Sequence, residues 1–244
     1  MSNITTLQIT DGLVGSGVTA VSGKTVTVHY TGWLYNATAA NNHGAKFDSS
    51  VDRGQPFSFL LGAGQVIKGW DQGLVGAKAG SRIQLDIPSD LAYGAQSQGD
   101  VIGPNEPLTF VIDVLAVIPK NDPSKEPVVL VKPSTVKDVT SEDLVPGTGT
   151  EATSGSTVTF NYIFYRGDTG AKVFSSWSTA PASIPLIPDG NLDGLIKGMI
   201  GAKVGGRRQI TMPAATMFGG KGQTSLSIPA GVDITIVVDI LAVY

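Results

Sequence analysis

The sequence predicts an α+β fold made twice over, each copy a curved antiparallel β-sheet wrapped around one short α-helix. Strand periodicity, frequent turn residues and an internal repeat carry that prediction. Thr25 to Tyr35, TVTVHYTGWLY, alternates β-branched and aromatic residues with polar ones, as a half-buried strand does. PFSFLLG, SRIQLDIP and LTFVIDVLAVI follow the same pattern, and 31 glycines and 14 prolines supply the turns between them.

The helix is short. Ile67 to Val75 sets Ile67, Trp70 and Leu74 on one face at helical spacing. Gly69 and Gly73 interrupt it, each less favourable than Ala by about 1 kcal/mol in a helix. The repeat has the period of a whole domain. GSGVTAVSGKTVTVHY (Gly15 to Tyr30) returns as GTGTEATSGSTVTFNY (Gly147 to Tyr162), and GLVGAKAGSR (Gly73 to Arg82) as GMIGAKVGGR (Gly198 to Arg207). VIDVLAVI returns as VVDILAVY, with Asp239 answering Asp113. Order and spacing are kept, so the chain is a duplication. Between the copies, Ile118 to Ser134 holds four prolines among polar residues and reads as an exposed linker. The expected division is a domain at 1–119, a linker at 120–134 and a second domain at 135–244.

Composition narrows the chemistry. The 244 residues are 41% hydrophobic and 15% charged, with a net charge of −3, so no basic field points to nucleic acid or an anionic membrane. Cysteine is absent, which removes disulfides and thiolate chemistry, and two histidines leave too little imidazole for a multi-histidine metal site. No metal or cofactor is expected. The longest apolar stretch, Phe110 to Ile118, is far short of the roughly 20 residues that span a bilayer. No basic n-region opens the chain, so a cytoplasmic location is expected, or a periplasmic or secreted one if a leader was removed. GSGVTA at Gly15 to Ala20 matches a dinucleotide fingerprint, but a turn and a strand follow it where that motif needs a helix N-terminus.

One ordered series of motifs remains. It runs VHYTGWL (Val28 to Leu34), GAKFDSSVDRGQPFSFLLGAGQVIKGWDQGL (Gly44 to Leu74), DLAYGA (Asp90 to Ala95) and VIGPNEPLTFVIDVL (Val101 to Leu115). This series resembles the FKBP-type peptidyl-prolyl cis/trans isomerases over about residues 5 to 118, with Asn36 to Asn42 as extra loop residues. The resemblance implies two FKBP-like domains and an isomerase of X–Pro bonds that assists protein folding. It implies pocket positions at Tyr30, Phe47, Asp48, Arg53, Phe57, Val66, Ile67, Trp70, Tyr93, Val101, Ile102 and Phe110. Of these, Tyr30, Asp48, Trp70, Tyr93 and Phe110 are the expected catalytic set. The others bind substrate. The implied tryptophan floor is Trp70, and the implied hydrogen bonds to substrate carbonyls come from the Ile67 N–H and the Tyr93 hydroxyl. Expected partners are proline-containing unfolded or peptide chains, with macrolide immunosuppressants in the same pocket, and a monomer is expected. Gly103-Pro104, Gln65 and Gln98 depart from the family's usual residues on loops around the pocket.

The chemistry suits such residues. A peptide C–N bond resists rotation by about 18–20 kcal/mol because resonance makes it partly double. The twisted amide is less charge-separated than the planar one, so an apolar cage disfavours the ground state more than the transition state. Phe47, Phe57, Ile67, Trp70 and Phe110 fit that role, and Asp48 and Tyr93 fit directed polar contacts.

The second copy differs. Aligning the repeats sets Tyr162 against Tyr30, Phe174 against Phe47, Ser175 against Asp48 and Leu195 against Trp70. It sets Ala182 and Ile184 against Phe57 and Phe59, Asn191-Leu192 against Val66-Ile67, Phe218 against Tyr93 and Ile236 against Phe110. The expectation is a degenerate pocket, stripped of aromatics, in a module that binds or scaffolds. The alternative for the whole chain is a non-enzymatic, chaperone-like peptide-binding protein.

Overall fold

The computed structural model describes residues 4–188 and 190–244. The chain forms two compact units, one ending at Lys120 and the other beginning at Asn121. In the first, the strands are β1 (Gln8–Leu13), β2 (Thr25–Tyr35), β3 (His43–Ser49), β4 (Phe57–Leu60), β5 (Arg82–Ile87) and β6 (Leu108–Ile118), with helix α1 (Lys68–Gly73) between β4 and β5. They make one antiparallel sheet in the order β1-β5-β6-β2-β3, and β4 continues the β3 side by pairing with the start of β2. Edge strand β1 is exposed throughout, whereas central β6 is mostly buried.

Alternation puts Val26, Val28, Tyr30 and Leu34 of β2 on the face that α1 covers, with Leu85, Ile87, Phe110 and Ile112 beside them. Gly69 and Gly73 are what let α1 lie that close. A Cβ on Gly69 would meet Ile87 Cδ1 at 2.9 Å, and one on Gly73 would meet Leu85 Cδ2 at 2.8 Å. The helix gives up propensity for a backbone contact with the sheet. That contact aims Trp70, 4% exposed, into the core.

The second unit repeats this plan. Its strands are β7 (Thr140–Val145), β8 (Thr157–Arg166), β9 (Lys172–Ser175), β10 (Ala182–Pro185), β11 (Arg207–Met212) and β12 (Ile234–Val243), with helix α2 (Asp193–Met199) before β11. The sheet order is β7-β11-β12-β8-β10, and β9 pairs with the far part of β8. Gly194 and Gly198 of α2 face Met212 and Ile210 as Gly69 and Gly73 face Ile87 and Leu85.

The segment expected to be an exposed linker is part of this second unit from Asn121 onward. Val129 and Val131 pack against Ile163, Tyr165, Val237 and Trp177 on the side of the sheet away from α2. The Asn121 amide donates to the Ser176 carbonyl at 2.8 Å and accepts from Asn161 at 2.8 Å. Lys172 pairs with Glu126 at 2.6 Å, and the Ser134 N–H donates to the Gly167 carbonyl at 2.7 Å. The prolines mark an extended strap whose alternate valines, Val129 and Val131, are half-buried, while Val128 and Leu130 face outward.

Candidate functional site

The first unit gathers six aromatic residues where α1 meets β2, β3, β4 and β6: Tyr30, Phe47, Phe57, Phe59, Trp70 and Phe110. The Tyr30 ring centroid lies 5.1 Å from Trp70, 6.1 Å from Phe57 and 6.2 Å from Phe110, all edge-on. Trp70 meets Phe110 at 5.2 Å and 89°, and Phe47 meets Phe110 at 5.5 Å and 86°. Phe59 backs the cluster, 5.7 Å from both Trp70 and Phe57. Edge-to-face pairs of this kind contribute about 0.5–1.5 kcal/mol each beyond burial. The indole N–H of Trp70 is buried with no hydrogen-bond partner among the described residues, so ring packing alone holds it. The cluster opens toward solvent on one side, where Phe57 is 38% exposed and Tyr30 and Phe47 are half-buried.

A polar edge borders this apolar surface. The Tyr30 hydroxyl donates to Asp48 Oδ2 at 2.5 Å. Arg53 donates to Asp48 Oδ1 through Nη1 and to the Tyr30 hydroxyl through Nη2 at 3.0 Å, closing a triangle. Burial pushes the Asp48 carboxyl up, but the hydrogen bonds from Tyr30 and Arg53 and the guanidinium charge outweigh it and hold the group below the ordinary aspartate range. Burial and then the bond to Asp48 raise the Tyr30 phenol. Burial, followed by the charge on Asp48, raises Tyr93, a half-buried residue on the β5–β6 connection. At neutral pH the edge therefore presents one carboxylate and two protonated hydroxyls.

Backbone contacts hold these groups in place. Ser50 Oγ accepts the Tyr30 N–H at 2.8 Å and pairs with His29 Nδ1 at 3.0 Å. Val66 and Ile67 pack half-buried against the cluster just before α1, and Ile102 is buried against it from the long β5–β6 connection. Val101 stays 52% exposed and is outside the buried cluster. Arg53 is brought in by its polar contacts and by its guanidinium over the Tyr30 ring, 5.8 Å from the centroid.

Sequence reasoning missed Gly32. It pairs with Asp48 across the β2–β3 hairpin, and a Cβ there would meet Phe47 Cζ and Phe110 Cε1 at 2.7 Å each. Both rings reach the site only because this strand position has no side chain.

Strand register corrects the comparison with the second unit. Ser176 Oγ accepts the Tyr162 N–H at 2.8 Å, as Ser50 does for Tyr30. Thr31 pairs with Ser49 and Gly32 with Asp48, while Ile163 pairs with Ser175 and Phe164 with Phe174. Phe174 therefore stands where Asp48 does, Val173 where Phe47 does, and Phe164 where Gly32 does. The expected match of Asp48 with Ser175 and Phe47 with Phe174 is one residue out of register. The second copy lacks the rings of Phe47, Phe57, Phe59, Trp70 and Phe110 and gains two, Phe164 and Phe174, beside Tyr162. Phe174 stacks on Tyr162 at 5.5 Å, Phe164 meets Tyr162 at 5.3 Å, and Phe218 lies 6.3 Å from Phe164. The Tyr162 phenol is raised by burial alone. Strand pairing keeps the correspondences of Ile236 with Phe110 and of Ala182 with Phe57: Leu85 pairs with Phe110 and Ile210 with Ile236, and Val28 pairs with Phe57 and Phe160 with Ala182.

A family model finds the module twice: that for FKBP-type peptidyl-prolyl cis-trans isomerase matches residues 17–115 and again 148–241. A protein named FK506-binding protein from Neisseria meningitidis serogroup A is 51% identical over 111 residues, 46% of this chain and 95% of the relative. Another of that name from Streptomyces anulatus is 48% identical over 112 residues, 46% of this chain and 86% of the relative. The solved structure titled "Crystal structure of AtFKBP13" aligns at 37% identity and a TM-score of 0.40, over 45% of this chain and 91% of that one.

Proposed function

The chain belongs to the FKBP-type peptidyl-prolyl cis-trans isomerase family, and we propose on that premise that the first unit isomerises X–Pro bonds while the second does not. The observation that carries this division is the aromatic cluster around Trp70, open on one side in the first unit, whereas in the second Leu195 replaces the tryptophan and Phe164 and Phe174 stand against Tyr162.

X–Pro bonds keep both isomers accessible yet exchange them over tens to hundreds of seconds. Rotation breaks no covalent bond, so what is needed is a surface that favours the twisted imide. The prolyl ring packs on the face of Trp70 between Tyr30, Phe47 and Phe110. Desolvation there penalises the charge-separated planar amide more than the twisted one. The Ile67 N–H and the Tyr93 hydroxyl hold the flanking carbonyls, and the Tyr30–Asp48–Arg53 triangle keeps the polar edge rigid. Lowering the barrier by about 5 kcal/mol accelerates exchange several thousand-fold. The relatives' name extends to this chain as a ligand class: a macrolide of the FK506 type occupies the same surface, in competition with peptide. The second unit keeps the sheet and helix but offers no place for a prolyl ring. Its role is binding or scaffolding.

The test is Trp70→Leu in the full chain. The fold tolerates leucine there, because Leu195 already fills that place in the second unit. Catalysed exchange of an X–Pro tetrapeptide should fall by at least about a hundredfold, equivalent to roughly 2.7 kcal/mol. Turnover near that of the parent would place the activity elsewhere and overturn the division. Suppression of aggregation that survives without turnover would favour the chaperone-like role beside the enzyme.

A further inference from the structure

We infer that Asp71 is a positioning residue for the isomerase site, fixing the turn before Ile67 against the helix that carries Trp70; the inference rests on reading the first unit as the isomerase. Asp71 follows Trp70 directly on α1. Its Oδ1 accepts the Gly62 N–H at 2.8 Å and its Oδ2 accepts the Gly64 N–H at 2.9 Å. One carboxylate thus grips two backbone donors of a single turn, with charge-assisted bonds of the stronger kind.

The turn needs gripping. Gly62 and Gly64 both sit at positive φ, 78° and 69°, where glycine moves freely. On the strand side, Gln65 Oε1 accepts the Leu60 N–H at 2.8 Å. On the helix side the chain reaches Val66 and then Ile67, whose backbone is extended (φ −60°, ψ 149°) just ahead of α1. The Ile67 carbonyl takes the Trp70 N–H at 2.9 Å and the Asp71 N–H at 3.3 Å. The Ile67 N–H precedes this ladder, so its direction follows the turn rather than the helix. Asp71 is the side chain that ties that turn to the residue beside the floor.

The duplicate supplies an internal contrast. Matching Gly194 to Gly69 and Gly198 to Gly73 puts Ile196 where Asp71 stands and Leu195 where Trp70 stands. Ile196 is 5% exposed and belongs to the core. The second unit has neither the tryptophan floor nor a carboxylate at the Asp71 position; there Asp193, at the start of α2, accepts the Gly190 N–H at 3.0 Å instead.

The experiment compares Asp71→Asn, Asp71→Ala and Asp71→Glu with the parent full chain. kcat and KM are measured on an X–Pro tetrapeptide well below the thermal midpoint, with near-ultraviolet circular dichroism to verify packing. A positioning role predicts kcat about tenfold lower in Asp71→Asn with KM within twofold, and a larger loss in Asp71→Ala. Asp71→Glu keeps two anionic acceptors and should recover to within about threefold of the parent. If Asp71→Ala does not fold, the near-isosteric Asp71→Asn still decides. Parent-like kcat in Asp71→Asn overturns the inference. So does a loss that tracks only the unfolded fraction, because that marks a structural role alone. Trp70→Leu in the same assay separates the premises. If it is inactive while Asp71→Asn is parent-like, only the positioning role is wrong; if it is fully active, the site reading fails and the inference falls with it.

Discussion

Phe164 stands in the second sheet where Gly32 stands in the first, and across their hairpins Phe164 faces Phe174 while Gly32 faces Asp48. The pair of exchanges turns an apolar surface with a charged edge into a continuation of the core. Phe164 is 7% exposed and joins the buried cluster with Leu195 and Ile236. A sheet position carrying only hydrogen in one copy, and a full ring in the other, decides whether the rings around Tyr30 leave room for a guest.

Gly32→Phe should therefore close the first site from inside. The new ring needs the space now held by Phe47 and Phe110, and even a Cβ would be 2.7 Å from each. The sheet tolerates phenylalanine at this register in the second unit, so the variant should fold, with a destabilisation of about 1–3 kcal/mol from overpacking. Catalysed exchange of an X–Pro tetrapeptide should drop by about a hundredfold or more. Loss of macrolide affinity, measured by calorimetry, should accompany it. Retained turnover in a folded variant would show that the rings around Gly32 do not form the working surface.

The repeats, the strands, the short helix and the residues around Trp70 were all legible in the chain, because each leaves a local pattern of alternation, spacing or motif. The register of β9 was legible only from its flanks. An aromatic is easily set against an aromatic, but the ends shared by GAKFDSS and GAKVFSS set Phe174 against Asp48, and the strand pairing and the Ser50 and Ser176 bonds to the tyrosine N–H groups agree. Gly32 gave no signal, since its role is a distance between Phe47 and Phe110 and has no local periodicity. The strap was hidden for a similar reason. PVVLVKPS looks like punctuation until Ile163, Tyr165 and Val237, far along the chain, supply the surface that half-buries Val129 and Val131.

The pH dependence follows from the polar edge. Asp48 has a folded-state value below its unfolded one, so its contacts stabilise the unit fully above about pH 4 and fade as pH falls through the folded value. Tyr30 and Tyr93 are raised, so their contribution is complete below about pH 10 and is lost as pH rises through their folded values. The Asp48 side chain is 37% exposed and Arg53 more so, so solvent screens the pair and the effect on stability is small. kcat/KM should be level from about pH 5 to about pH 9. It should decline on the acid side only where Asp48 takes up its proton, and Asp48→Asn should flatten that limb. A midpoint between about pH 6 and pH 8 would implicate a group other than Asp48 and the tyrosines.

Arg208 separates the two units by stability rather than activity. Both sheets carry a cross-strand pair, Arg82 with Asp113 and Arg207 with Asp239, at 2.6 Å. The next position is buried Ile83 in the first unit and Arg208 in the second. Arg208 binds Asp143 at 2.6 and 3.0 Å and donates to the carbonyls of Gly198, Ile200 and Gly201 at 3.1, 2.9 and 3.2 Å. It thereby satisfies the end of α2 and fixes edge strand β7 to the sheet. Its hydrogen bond holds the Asp143 carboxyl below the ordinary range, against the opposing effect of burial. Arg208→Met fills the volume but leaves those carbonyls unmet. Asp143 is 42% exposed and is rehydrated, so the loss comes mainly from the backbone groups, about 3 kcal/mol in all. Trp177 is the tryptophan of the second half of the chain, and its fluorescence reports that unit's unfolding in urea. The Trp177 transition should move to lower denaturant while X–Pro turnover stays at the parent's level. If turnover fell in step with the Trp177 signal, the first unit's activity would depend on the second unit's fold, and the division of labour between them would have to be redrawn.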